Sequence, residues 1–463
     1  MQGLTGILDI GKQALLTQQL ALQVTSNNIS NVNTPGYSRQ RGALEERYPA
    51  QSEAGPVGTG VQMKTVEAAR DQFLEARLST VMQTTGKQDT VTGYLNQVQS
   101  VFGLSQDGVG DALSKFFNAF SGLANDPTSS SLRYNVLTAG QNLAGMFNDA
   151  ARQLSDIQQN ADTAVVDTVN QINNLTARIA ALNGQITNAE ATGFHSNDLR
   201  DQRGEAVKEL SSLVDIHYYE SSDGTFSVST GAETLVTANF HEDLSLTRTG
   251  PLGFNQVLAN GRDITSTIQR GRLGGLLQVR DNQIPGYQSD LDTLAESVIR
   301  EVNTVHQAGK DLQSPPSATS LNFFAPVAGV PGAAKAFAVN AAVAADPRYI
   351  AAGQTGAPAD NTNALALADL GNQKLMASGT QSFTDAITAM QARIGTDARS
   401  SQMETDTNNA IKTQLENSRD QISGVSLDEE AIDLMRFQKA YQAAAKLINV
   451  VNGLMDDVLN IAG

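Results

Sequence analysis

The chain ends in a seven-residue repeat of apolar positions. Leu427, Leu434, Tyr441, Ile448 and Met455 are each seven apart, and Phe437, Ala444, Val451 and Val458 follow three residues behind them. Such spacing predicts a helix with a coiled-coil seam, broken only by Glu430 at the first position of the second column. Ser426-Leu427-Asp428-Glu429 predicts a capping box at its start, the serine oxygen taking a first-turn amide and Glu429 reaching back. Glu430 then falls in the first turn, where the helix dipole favours a carboxylate. Residues 4–30 mirror this ending. Leu8, Leu15, Leu22 and Ile29 are seven apart, with Ile7, Ala14 and Ala21 on the same face. A narrow stripe of this kind is a seam rather than the flank of a thick core.

The first helix has to stop at Ser26-Asn27-Asn28-Ile29-Ser30-Asn31-Val32-Asn33-Thr34-Pro35-Gly36-Tyr37. Asn and Ser offer the backbone local hydrogen bonds, and Pro-Gly enforces a turn. Residues 42–60 carry Pro and Gly with little periodicity and predict a linker or extended arm, with helix resuming near Val66. Apolar positions at helical spacing then run from Leu74 to Phe102, and Leu113, Phe116, Phe117, Phe120 and Leu123 mark a short, richly apolar helix. The longest helical pattern extends from about Ser131 to Thr192, with Gly140, Gly145 and Gly184 as its points of bending. A further helix carries Leu199, Val207, Leu210 and Leu213.

After Val214 the period changes from helical to alternating. His217-Tyr218-Tyr219, a turn at Asp223-Gly224, Thr225 to Ser229, Thr234 to Thr237 and Leu244 to Thr247 predict a β-rich insert reaching about Ile268. Helix returns from Leu276 to Val305. Residues 314–356 are irregular, with Phe337 and Val339 in a short strand, and helical spacing resumes from Leu365 to Ile422. The predicted fold class is mainly α. Long helices form a terminal coiled-coil unit (1–41 with 424–463) and an elongated helical bundle (42–214, 269–313 and 357–423). A small β-rich outer insert (215–268 with 314–356) completes the chain.

Composition agrees with helices of narrow apolar stripe. The chain has 463 residues, 40% hydrophobic but only 5% aromatic, with no Trp. A net charge of −16 argues against a nucleic-acid partner, because a phosphate-binding surface needs clustered Lys and Arg. No apolar run is long enough for membrane insertion, and Met1-Gln2-Gly3 begins no signal peptide. Cysteine is absent, so disulfides and thiolate metal sites are excluded.

Catalytic patterns are decoys here. Gly6-Ile7-Leu8-Asp9-Ile10-Gly11-Lys12 has P-loop spacing, but Gln13 stands where magnesium needs a hydroxyl and no strand precedes it. His195, His217, His241 and His306 are far apart and form no metal-ligand spacing. Carboxylate pairs such as Glu45-Glu46 and Asp456-Asp457 read as solvated turns and helix ends. No catalytic residue, cofactor or metal site is expected.

The two ends together resemble the axial proteins of the bacterial flagellum. The resemblance rests on residues 24–37 and on Glu430-Ala431-Ile432 with Phe437-Gln438-Lys439-Ala440-Tyr441-Gln442-Ala443-Ala444-Ala445-Lys446. Ser38-Arg39-Gln40, Gly271-Arg272-Leu273-Gly274-Gly275-Leu276 and residues 346–352 are similar to the branch of that family at the hook–filament junction. The resemblance implies a structural subunit, exported by the flagellar type III apparatus and self-assembling in a helical lattice. Its implied partners are the hook protein, the second hook–filament junction protein and an export chaperone on the C-terminal helix. A hook, rod or second junction protein, and an acidic coiled-coil adhesin, are the alternatives.

Two seam helices of this length bury little apolar area alone. The expectation is that both ends are largely disordered in the monomer and order on docking to neighbours. Leu8, Leu15, Leu22 and Ile29 with Leu434, Phe437, Tyr441, Ala444, Ile448, Val451, Met455 and Val458 form the assembly seam. Asn27, Asn28, Asn31, Asn33, Pro35, Gly36 and Tyr37 form the motif turn.

Overall fold

A computed structural model describes residues 2–462 apart from 53–54, 103–107, 192, 194, 222–224, 249–252 and 314–320. Helix α1 (Gln2–Ser30) is followed by strands β1 (Gln40–Glu46), β2 (Ala50–Ser52), β3 (Gly55–Val57) and β4 (Val61–Ala68). Strand β1 pairs antiparallel with β4 from Gln40 opposite Ala68 to Glu46 opposite Val61, and β2 pairs with β3 beyond them. Residues 42–60, expected as a linker, therefore belong to a long hairpin, and Val66 lies in a strand. The periodicity was weak because one face of this ribbon is solvated while the other lies on α1.

Helix begins instead at α2 (Gln72–Val101), where the Asp71 side chain accepts from the amides of Phe73 and Leu74. Then come α3 (Val109–Asn125), α4 (Ser130–Glu190) and α5 (Asn197–Leu213). Helix α4 is 61 residues long and unbroken at its glycines, about 90 Å at ~1.5 Å per residue. Gly140 serves packing rather than bending: a Cβ there would come within 2.8 Å of the Phe323 ring. The apolar face of α3 supplies Phe116 and Phe120 to an aromatic cluster with Phe323 and Phe324, and Phe147 of α4 stacks on Phe337.

The insert is a meander of β5 (His217–Glu220), β6 (Phe226–Thr230), β7 (Glu233–Thr237) and β8 (Phe240–His241). A second sheet is ordered β11-β10-β9, from β9 (Ser245–Thr247), β10 (Gln256–Ala259) and β11 (Arg262–Asp263). The expected turn at Asp223-Gly224 lies outside the described residues. After α6 (Gly271–Gln278), a π-helical turn at Val279–Gln283 leads into α7 (Ile284–Ala308). That turn carries Arg280, buried and paired with buried Asp162 of α4 at 2.7 Å. Arg280 also donates to the Asn255 carbonyl at 2.7 Å, which fixes the root of the second sheet on α4.

The other expected half of the insert sits elsewhere. Among the described residues, 321–356 hold isolated bridges such as Phe324 with Val339, and the short helix α8 (Ala341–Ala345), rather than a sheet. They lie on the helical body because polar side chains of α4 and α7 reach their backbone. Asn303 Nδ2 donates to Phe324 O at 3.0 Å, and Asn148 Nδ2 to Ala334 O at 2.8 Å. The chain closes with α9 (Thr362–Asp369), α10 (Phe383–Ser423), packed along α2, and α11 (Leu427–Ala462), packed along α1. The fold is mainly α, with long helices and a small strand-rich insert.

Candidate functional site at the paired terminal helices

Helices α1 and α11 run antiparallel within one chain. Gly11 abuts Ile448 at one end of the pair, and Asn28 meets Glu430 at the other. The approach is close because small residues face the partner: Gly11, Ala21, Thr25 and Asn28 are the buried residues of this α1 face. Leu8, Leu15, Leu22 and Ile29 stand beside that column and are half-buried. On α11, Ala444 and Val451 are buried, Leu434, Phe437, Ile448 and Met455 half-buried, and Tyr441 and Val458 exposed. The pairing leaves Leu16, Leu20, Leu447, Val450 and Leu454 bare, each at least 39% exposed. The ends thus find each other inside the chain, yet neither covers its apolar surface fully.

The ribbon flanks α1 on another side. Thr17 Oγ1 donates to Val61 O at 3.1 Å, and Arg47 Nη1 meets Asp9 Oδ2 at 2.9 Å. A groove of about 460 Å³ runs between ribbon and α11, with Ala21, Val24, Met63 and Phe437 among its lining.

The motif turn builds a knuckle from the asparagines upward. Asn31 caps the end of α1: its Nδ2 donates to Asn27 O and Oδ1, and its Oδ1 accepts from Thr34 Oγ1. Asn28, 1% exposed, is the hub. Its amide copies a β-bridge to Gln40, donating to the carbonyl at 2.9 Å and accepting from the N–H at 2.9 Å. Asn28 Nδ2 also donates to Glu430 Oε2 at 3.0 Å, and its Oδ1 accepts from the Tyr37 hydroxyl at 2.8 Å. Burial, with Asp198, Asp201 and Glu430 nearby, holds the Tyr37 hydroxyl far above its usual range, so it remains a proton donor. Gly36, at φ +78, lies where a Cβ would overlap the Glu205 side chain. Asn33 and Pro35 face solvent.

Arg39 closes the knuckle. Its Nε donates to Glu430 Oε1 at 2.6 Å, its Nη1 pairs with Glu429, and its backbone N–H donates to Ser423 O at 2.8 Å. The capping box is therefore half made. Ser426 Oγ lies 3.5 Å from the Glu429 amide, but the Glu429 carboxylate goes to Arg39 rather than back to Ser426. Glu430, expected to answer only the helix dipole, is 2% exposed and shared between Arg39 and Asn28. The body joins through α5. Asp201 accepts from the Ser38 amide at 3.0 Å and pairs with Arg70, while Asp198 accepts from Gln40 Nε2 at 2.8 Å. Asp198 and Asp201 carry no local signal of this role, since their partners lie more than 130 positions away.

The sequence decoys land in ordinary places. Residues 6–12 are continuous helix within α1. His306 is a core histidine. Its Nδ1 lies 2.9 Å from Leu321 O and its Nε2 accepts from the Ala351 amide at 3.0 Å, while burial pulls its pKa down to about 4.

Known proteins share this architecture. Residues 95–324 match the flagellar hook-associated protein FlgK helical domain. Residues 8–37 match the flagella basal body rod protein family, and 417–461 the C-terminal family of the basal body rod proteins FlgEFG. Flagellar hook-associated protein 1 of Bacillus subtilis is 31% identical, with 98% of each chain covered. Its namesake in Escherichia coli is 23% identical, with 99% of this chain and 100% of that one covered. The structure of the flagellar hook junction protein FlgK from Burkholderia pseudomallei superposes with a TM-score of 0.66 at 18% identity, over 75% of this chain and 100% of that one. With both terminal signatures locked in one knuckle and the helical body matched between them, the chain belongs to the flagellar hook-associated protein 1 family, as a structural subunit of the flagellum.

Proposed function

We propose that this subunit sits at the hook–filament junction and joins the two lattices through its paired terminal helices. The observation that carries this reading is the apolar surface those helices leave bare. Leu16 and Leu20 on α1, and Val450 and Leu454 on α11, stay 45–53% exposed within the chain. Surfaces of this kind mark contacts with other chains. The terminal unit, residues 1–41 with 424–463, then forms the inner tube of a helical lattice of copies, with the hook protein on one side and the second junction protein on the other. The named seam residues act in closing each coil and in setting its register against the next.

Export through the flagellar type III apparatus, with a chaperone on α11, follows from the same reading. A chain without cysteine crosses an envelope unfolded with no risk of wrong disulfides. Immunogold labelling of intact flagella tests the position. A single band where hook meets filament is expected, and label along the whole hook or filament overturns it. The helical-domain match at 95–324 supports the junction position, whereas the matches at 8–37 and 417–461 are to rod-protein families.

A further inference from the structure

We infer that neighbouring copies meet through α1 of one and α11 of the next, with Lys12, Leu16 and Leu20 lying antiparallel against Asp457, Leu454 and Val450. The inference rests on the assembly reading above and names the contact inside it. Lys12, Leu16 and Leu20 follow one another at one-turn steps, and both leucines lie on the side of α1 turned away from α11, 46% and 45% exposed. Val450, Leu454 and Asp457 step by four and three on one flank of α11, with Val450 53% and Leu454 47% exposed. Each patch is a pair of half-exposed apolar residues, and the ends that meet carry opposite charges, Lys12 and Asp457, while Asp9 beyond Lys12 is already paired with Arg47. Neither Lys12 nor Asp457 has an ion-pair partner among the described residues. Antiparallel docking brings Leu16 level with Leu454, Leu20 with Val450 and Lys12 with Asp457 together, so one register satisfies all three.

A single chain cannot make this contact. The register of Gly11 against Ile448 sets Leu16 level with the middle of α11, about 11 residues from Leu454, and facing away from it. The second patch must come from another copy. Because the two patches occupy different sides of the coil, the contact is heterologous and propagates instead of closing a two-fold dimer. The offset slides each copy by about 17 Å along the helix axis at ~1.5 Å per residue. Patches this small fall well short of the ~1,000 Å² of a stable pairwise interface. The contact therefore holds only when repeated through an array, which leaves the free chain monomeric.

The absence of native cysteine makes the test clean. In flagella built from chains carrying both Leu16→Cys and Leu454→Cys, oxidation should give a ladder of disulfide-linked multimers. Leu16→Cys with Leu459→Cys, on the opposite flank of α11, should give none. Assembled flagella without a ladder, or with equal ladders from both pairs, overturn the contact. Should the cysteine chains fail to assemble, charge reversal decides. Lys12→Glu alone should lose incorporation, and adding Asp457→Lys to the same chain should restore it. No loss from the single change, or no rescue by the second, overturns the contact equally. Native label running along a whole filament would instead count against the junction position and leave this contact untouched.

Discussion

Nε of Arg39 donates to Oε1 of Glu430 at 2.6 Å, joining side chains 391 positions apart, with both residues almost excluded from water. Desolvation offsets much of the attraction in a pair of this kind, so its net contribution to stability is small. Its effect is on register. Glu430 accepts from Arg39 and from Asn28 at once, and no slipped pairing of α1 with α11 would satisfy all three groups.

Removing one partner is therefore costly in a way that the intact pair conceals. Glu430→Ala leaves the Arg39 guanidinium buried with Glu429 and, at 3.9 Å, Asp433 as its remaining carboxylates, and should weaken docking of α11 by about 3 kcal/mol. Amide hydrogen exchange would show faster opening of residues 427–440, while α4 and α7 keep their protection. Unchanged exchange at 427–440 would mean that the seam alone holds α11 in place.

Asn28→Asp is nearly isosteric but removes two donors. The new carboxylate would face Glu430 and lose the bond to the Gln40 carbonyl, at a cost of about 3 kcal/mol. Limited proteolysis should then cut between residues 30 and 40, which the wild-type knuckle protects. Asn33→Ala, on the exposed side of the same turn, should leave the cleavage pattern as it was.

The helices of this chain were legible because α3, α4, α7 and α11 each repeat apolar residues at the period of a buried face. The ribbon of β1 and β4 was not, since its alternation is shallow where one face meets water and the other is only half-buried on α1. On α11 the pairing buries Ala444 and Val451 of the heptad columns and leaves Tyr441 and Val458 exposed. On α1 the leucine column stands beside the buried one, because close approach there needs small residues such as Gly11 and Ala21, which carry no apolar period. Glu430 showed only as a break in the heptad. Its partners lie at the other end of the chain, and no local spacing reveals a pairing across 391 positions.

Gly11 makes that point testable. A Cβ there would lie 2.9 Å from Ile448 Cγ1, so any side chain has to push the helices apart or shift Ile448. Gly11→Ala should be near neutral, because a helix-propensity gain of about 1 kcal/mol offsets the crowding. Gly11→Leu should lower the stability of the coil by roughly 2 kcal/mol through overpacking. Exchange protection of α1 and α11, compared between the two variants, checks both signs; equal effects would put the contact elsewhere.

Acid should destabilise the body through His306. The unfolded chain takes up its proton near pH 6.5, whereas the folded chain, burying a neutral ring, takes it up only at about 4. The folded pKa is the lower of the two, so the contribution is full above 6.5 and disappears as pH falls through that window. It amounts to about 2 kcal/mol between pH 8 and pH 5. Glu190, held down to about 2 by hydrogen bonding from Arg200, acts in the same direction at lower pH, below the ordinary glutamate range. Thermal melts at pH 8 and pH 5 should show the loss in wild type. His306→Gln, less stable at pH 8, should show a smaller change between the two; an equal change would mean that other groups carry the acid sensitivity.

Two aspartates placed two residues apart separate folding from assembly. Ile448 is half-buried against Gly11, so Ile448→Asp brings a charge into the coil and should loosen α1 and α11 while blocking incorporation. Val450 is 53% exposed on the outer flank, so Val450→Asp meets water in the monomer and should leave its exchange pattern and melting unchanged. In the lattice that flank is covered, and the charge would be buried without a partner. Val450→Asp should therefore fold as wild type and yet be missing from purified flagella. If it incorporates normally, the outer flank is not an assembly surface, and the coil would have to contact its neighbours through Tyr441 and Val458 instead.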